Sequence, residues 1–376
     1  MARRSFPVTL LLLASLLSAC LPGPAASGSV PTGFLTARAP ASPTPKAAPT
    51  TTSAPALTPT PTLPALPLPY QTALLNPLDT PHTYIQAPCQ YLHDKWSSAN
   101  SAPGTLVMVI MFHMITNAVI TDPNQISEYR FRLLMKSLHQ NGFQAIDTLQ
   151  LDGFLEHNSK IPARSVLLVT DDKHAASYFN MLFRSYWTDY GWPVVNAWVS
   201  DDLTTSDAWK QQEELNAEGW VDYQAHGVLS IPITRASSND YILAELKGPL
   251  EVFNAHFNKT PLAFIWPGGG FTPSSVALAR QVGYRLGFTT NPRGPLMFNW
   301  VPLADSGDPT RDTWIPEGAV NDPLMVLPRY WDTDAALHLK DVAQIGQEAA
   351  AYAQANKPAE MVYYSTVCSP ALGAIP

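Results

Sequence analysis

Three observations predict an α/β fold, a distorted barrel of about seven parallel strands, preceded by a signal peptide and a disordered Pro/Thr-rich linker. From about residue 105 onward, apolar runs of strand length alternate with amphipathic stretches of helical period, the pattern of repeated strand–helix units around a parallel sheet. Thirty-six prolines among 376 residues are too many for a uniformly folded chain, and they crowd toward the amino end. Hydrophobic residues make up 46% of the chain and charged ones only 14%, so the rest can bury a sizeable core. A net charge of -7 offers no basic face, and nucleic acid is not expected as a partner.

Arg3 and Arg4 precede an apolar run over residues 8–17, too short to span a bilayer as a mature helix but suited to the core of a secretory signal. The run closes on Leu17, Ser18, Ala19 and Cys20, which resembles a bacterial lipobox. Residues 1–19 then read as a cleaved lipoprotein signal peptide and Cys20 as the lipidated residue. The mature chain is expected outside the cytoplasm, held to the membrane through that lipid only. Residues 21–70 hold 13 prolines mixed with Thr, Ala and Ser, from which no packed core can form. Residues 20–83 therefore read as a linker, either a semi-rigid polyproline spacer or a disordered one. The folded domain is expected over 84–376, as a monomer. Once Cys20 is lipidated, Cys89 and Cys368 remain, and in an oxidising compartment they are expected to pair, two buried thiols being the alternative.

Within the domain the strand candidates are 105–112, 165–170, 193–199, 221–225, 262–266, 286–289 and 361–365, enough to close a barrel. Between them, residues 127–141 place Tyr129, Phe131, Leu133, Leu134 and Leu138 at helical spacing, and 274–282 and 341–355 read the same way. Pro273 suits the first turn of the second of these helices. In such a sheet the chemistry collects where the carboxyl ends of the strands meet their loops. His113, Asp171 with Asp172, Asp201 with Asp202, His226 and the segment from Trp266 through Gly270 all fall there.

Taken in order, VIMFHMI at 109–115, NGF at 141–143, LLVTDD at 167–172, GWVDYQAH at 219–226, FIWPGG at 264–269, VGYRLGFTT at 282–290 and LPR at 327–329 resemble the polysaccharide deacetylases with the NodB homology domain. These form carbohydrate esterase family 4, and the likeness is to the branch acting on poly-N-acetylglucosamine. The resemblance implies a hydrolase that removes acetyl groups from an N-acetylated polysaccharide with the help of a divalent metal, zinc in the first instance. It makes Asp171 the general base, oriented by Arg329, and Asp172 and His226 metal ligands. Trp266, Pro267, Gly268, Gly269 and Trp331 are the expected substrate-binding residues, the tryptophans as stacking platforms for sugar rings. A catalytically inactive relative that binds polysaccharide in the same groove is the alternative.

Several positions depart from the family pattern. Ser230 and Ile231 stand where a second metal histidine is expected, and neither is a usual zinc ligand. Lys173 replaces the glycine after the two aspartates. Gly268 replaces a tyrosine, and residues 362–366 lack the histidine that would supply a general acid. His174 and His113 are the candidate third ligands and Tyr364 the candidate substitute acid. Each has an ordinary structural reading too: His174 opening a solvated helix, His113 hydrogen-bonded under the rim, Tyr364 packed as an aromatic.

Overall fold

The computed structural model describes residues 64–304 and 320–376. The expected signal peptide, Cys20 and most of the linker lie outside the described residues. Six strands make the body of the sheet: β1 (Leu106–Phe112), β2 (Arg164–Thr170), β3 (Val194–Trp198), β4 (Val221–Ala225), β5 (Ala263–Ile265) and β6 (Leu286–Phe288). They lie side by side in that order, and every pair is parallel. Two short pieces, β7 (Leu296–Met297) and β8 (Tyr330–Trp331), both pair with β1, the first antiparallel near its amino end and the second parallel near its carboxyl end.

The curled sheet is bridged at its open seam by the segment that leads into β8. Leu327 donates its amide to Gly287 and accepts from the Thr289 amide, pairing with β6, and three residues later Tyr330 pairs with Ile110 of β1. This stretch does the work expected of a seventh strand at 361–365. Residues 361–363 instead finish the long helix Ala335–Tyr363, and 364–368 form a wider helical turn. A short run such as MVYYS is compatible with either state, and here the alanine-rich sequence upstream carries the helix through it.

Alternation along the strands sorts the core into two layers. Val107, Val109, Leu167, Val169, Val195, Ala197 and Ile265 pack in one cluster with the helix Thr148–His157. Met108, Ile110, Phe112, Val166, Leu168 and Trp198 belong to the other, against the surrounding helices. In the helix Glu128–Gln140, Ser127 caps the first turn, and Phe131, Leu134, Met135 and Leu138 form the buried stripe. Tyr129 and Leu133, expected on that stripe, are exposed. The helix Pro273–Val282 begins at the predicted proline, with Thr272 and Ser275 in a reciprocal capping box.

Packed structure begins before the expected boundary at residue 84. Asp79–His82 pairs antiparallel with Val301–Ala304, and the Tyr70 hydroxyl donates to Glu348. Cys89 and Cys368 are joined across a sequence separation of 279 residues, stapling the helix Pro88–Trp96 to the carboxyl-terminal turn. Replacing both cysteines with serine should lower unfolding stability by about 2–4 kcal/mol. Urea melts of the two proteins check this, and identical midpoints in unreduced samples would show that the bridge contributes nothing.

Candidate active site

Asp171 follows directly on β2, where its amide donates to the Phe112 carbonyl, so the chain is still in register with β1 as it leaves the sheet. Its carboxylate is buried, 2% exposed. The guanidinium of Arg329, itself fully buried, grips it with two bonds, from Nη1 to Oδ1 at 2.6 Å and from Nη2 to Oδ2 at 2.8 Å. Arg329 Nε donates to the Thr289 carbonyl, so the residue that grips Asp171 is fixed to the end of β6. Burial alone would raise the Asp171 pKa. The Arg329 charge, aided by His226, His113 and the Arg329 hydrogen bonds, outweighs burial and holds it down at about 2.

Asp172 turns the other way. It takes a left-handed backbone conformation, φ 71°, unfavourable for a residue with a Cβ but more accessible to Asp and Asn than to most. This conformation aims neighbouring carboxylates in different directions: Asp171 into the protein and Asp172 into the mouth, its side chain 52% exposed. His226 leaves the end of β4 with its amide bonded to the Trp198 carbonyl. Its Nδ1 donates to the Ile265 carbonyl at 2.8 Å, which leaves the Nε2 lone pair free, the way metal-binding histidines are commonly oriented. Nε2 lies 3.8 Å from Asp172 Oδ1. Residues 54 positions apart in sequence thus present two electron-pair donors to one opening.

A catalytic zinc calls for a third protein ligand beside an open position. Among the described residues no group of three His, Cys, Asp or Glu side chains is placed to hold a metal ion. Ser230, at the place of the expected second histidine, has its hydroxyl 3.4 Å from Asp172 Oδ1, and a neutral hydroxyl is a poor zinc ligand. The expected substitutes go elsewhere. His174 is buried and stacked on Tyr178 at 4.0 Å between ring centroids. His113 directs Nε2 at Asp171, 3.6 Å from Oδ2, not at Asp172. The described side chains therefore do not complete a zinc site. Lys173, which could oppose a cation there, is drawn aside by its ion pair with Asp201 and lies over the Trp198 ring.

The remaining assignments divide. Trp266 is fully buried and donates its indole N–H to the Met325 carbonyl, so it cannot stack on a sugar. Its aromatic packing supports the segment that closes the seam. Pro267 and Gly269 are buried as well, while Gly268 is partly open. Trp331 stays half-exposed on the rim, stacked on His113 with centroids 5.4 Å apart. Tyr364 is buried beside the disulfide, its hydroxyl donating to the Gly373 carbonyl. It belongs to the carboxyl-terminal cluster, so it is not the substitute acid. The contact missing from the sequence reading is that between His113 and Asp171. Burial keeps the His113 pKa below its ordinary value despite the opposing Asp171 charge, so the imidazole is neutral near pH 7.

Beside the site, Asp332 follows β8 with its carboxylate buried and its Oδ2 without a protein hydrogen-bond partner among the described residues. Burial raises its pKa to about 7. A carboxyl raised above its unfolded value near 3.9 favours folding below that value, and the benefit is lost as pH rises to about 7. Asp332→Asn should therefore raise stability at pH 8 by a few kcal/mol, on the order of the shift converted at about 1.4 kcal/mol per unit, while changing it little at pH 4. Thermal melts at the two pH values test this; a variant destabilised equally at both would show that the carboxylate is paired.

The polysaccharide deacetylase family matches residues 159–287, the stretch that holds Asp171, Asp172 and His226. A curated relative, YxkH of Bacillus subtilis, is 19% identical over 186 residues, 49% of this chain and 64% of its own. The chain thus spans slightly less than two thirds of that relative's length. Among solved structures, the Streptococcus pyogenes deacetylase PplD in complex with acetate is 16% identical at a TM-score of 0.49, over 64% of this chain and 99% of that one. IcaB from Ammonifex degensii is 16% identical at a TM-score of 0.46, over 66% of this chain and all of that one.

Proposed function

We propose that this chain, which carries a polysaccharide deacetylase domain over residues 159–287, hydrolyses the N-acetyl groups of an N-acetylglucosamine polymer at the mouth where Asp172 and His226 meet, with Asp171 and His113 lining its floor. The observation that carries the reading is the paired aspartates: one is buried against Arg329 and the other is open beside the free nitrogen of His226. Hydrolysis of an amide needs a group to take a proton from water and one to return it to the leaving nitrogen. Asp171 is ionised at any working pH and accepts from the attacking water. A carboxylate of such low pKa holds a proton poorly, and His113 beside it is the group to receive it and pass it to the amine. Water gains the acetyl carbon, the C–N bond breaks, and the products are acetate and a free amine. Asp172 and His226 attract a cation, but the described residues alone do not hold a zinc.

The reading that the groove only binds polysaccharide needs aromatic platforms, and burial of Trp266 removes one of the two expected. Trp331 remains at the rim to stack on a sugar ring. We further assign the mature protein to the outer side of a membrane, anchored by a lipid on Cys20. Labelled palmitate should be incorporated by the wild type and not by Cys20→Ala.

The test of the activity is acetate release from chito-oligosaccharides by the purified chain, with and without added divalent cations. Release is expected, and its dependence on the cation identifies what Asp172 and His226 hold. Sugar binding with no acetate under any of these conditions would move the protein to the binding reading.

A further inference from the structure

The proline-rich stretch ends in a segment that lies on the domain in an unusual way. Residues 64–70 read PALPLPY and form neither helix nor strand. They cross the face at the amino ends of the barrel strands, where residues 66–70 share a cavity of about 240 Å³ with Gly104, Thr105, Met297 and Tyr352. Met297 pairs with Leu106, the first residue of β1. The active-site mouth lies at the other end of that strand, about 20 Å away at some 3.3 Å per residue.

Two side chains of the domain hold this strap by its backbone. The Tyr352 hydroxyl donates to the Leu68 carbonyl at 2.7 Å, and the Trp300 indole N–H donates to the Tyr70 carbonyl at 2.9 Å. The Tyr70 ring sits against both, with centroids 5.7 Å from Tyr352 and 6.0 Å from Trp300. Its hydroxyl and that of Thr72 both donate to Glu348 Oε2. Pro67 and Pro69 have no N–H to offer, so a surface that recognises this stretch must supply donors to its carbonyls. Tyr352 and Trp300 do so at residues 68 and 70. Aromatic walls that donate to the carbonyls of a chain stiffened by proline are the chemistry of polyproline recognition. The strap packs unevenly: Leu66 and Tyr70 lie against the domain's hydrophobic clusters. Leu68 is 81% exposed, and the cavity lies beneath rather than being filled.

We infer that Trp300, Glu348 and Tyr352 form a proline-rich-peptide site whose occupant is the chain's own residues 66–70. The site fixes residues 66–70 on the face of the domain away from the mouth. The inference does not rest on the deacetylase reading.

The experiment uses the full chain with the strap disabled by Pro67→Gly, Pro69→Gly and Tyr70→Ala, which leaves the site's own side chains intact. The probe is a fluorescein-labelled synthetic peptide of residues 62–72, followed by fluorescence anisotropy. The disabled chain should bind the peptide at least tenfold more tightly than the wild type, whose site is filled. Adding Glu348→Ala and Tyr352→Phe, both on the long helix away from the buried core, should abolish binding while the circular dichroism spectrum is retained. A peptide with alanine at every proline should bind at least tenfold more weakly. No binding by the disabled chain, equal binding by the wild type, or equal binding of the alanine peptide would each overturn the inference.

Discussion

Asp171→Asn is expected to reduce acetate release by about 10²–10⁴-fold, the usual contribution of a positioned acid–base group, with the fold retained. The amide has the shape of the carboxylate and can still accept from one arm of Arg329. It cannot take a proton from water or stabilise charge on His113, so both halves of the proposed proton path fail together. Because the loss lies in the chemical step, it should appear in kcat, with KM for the oligosaccharide changed little. His113→Gln supplies the companion measurement. If the proton passes through the pair, each single variant should be nearly as impaired as the double, since groups that act as a unit are not additive. Multiplicative losses would mean that the two residues act separately, and activity of Asp171→Asn within twofold of wild type would remove Asp171 from the reaction.

The strands of this fold are legible in the sequence because they are short, largely apolar runs flanked by helical patterns, and a buried parallel strand produces that signal. The stretch at 361–365 produces it as well, and nothing local distinguishes it; only the helix arriving from upstream decides. Closure of the seam was hidden for the opposite reason. Residues 327–331 pair with two different strands through a few bonds each, and such a segment has no room for a periodic pattern.

Within the site, local sequence placed Asp171, Asp172 and His226 at strand ends. The bond from Asp171 to Arg329, 158 residues away, follows from the family likeness and from no property of either segment alone. Tryptophan at a strand end reads as a sugar platform or as core equally well, and Trp266 proves to be core because its indole finds a backbone carbonyl inside. His113 was visible as a rim residue, but whether it faced Asp171 or Asp172 depends on side-chain direction. The left-handed turn at Asp172 sets that direction for the two aspartates, and an aspartate does not announce it.

Arg329→Met should destabilise the protein by about 3–5 kcal/mol at pH 7, because it leaves a buried carboxylate without its countercharge. The pH dependence gives the sharper test. In the wild type the Asp171 pKa is depressed to about 2, below the unfolded value near 3.9. The pair's contribution is thus fully present above about pH 4 and is lost as pH falls toward 2. Removing Arg329 leaves burial as the largest influence on Asp171, and burial raises a carboxyl pKa. The sign then reverses: the variant should gain stability relative to wild type on acidification and lose it as pH rises from 4 to 7. Asp171→Asn combined with Arg329→Met removes the titrating group, so the double variant should be more stable at pH 7 than Arg329→Met alone, and its melting temperature should lack that decline. A double variant as unstable as the single, with the same pH profile, would mean that the Arg329 side chain acts through packing and its bond to Thr289, and that the charge on Asp171 is compensated by other groups at the mouth.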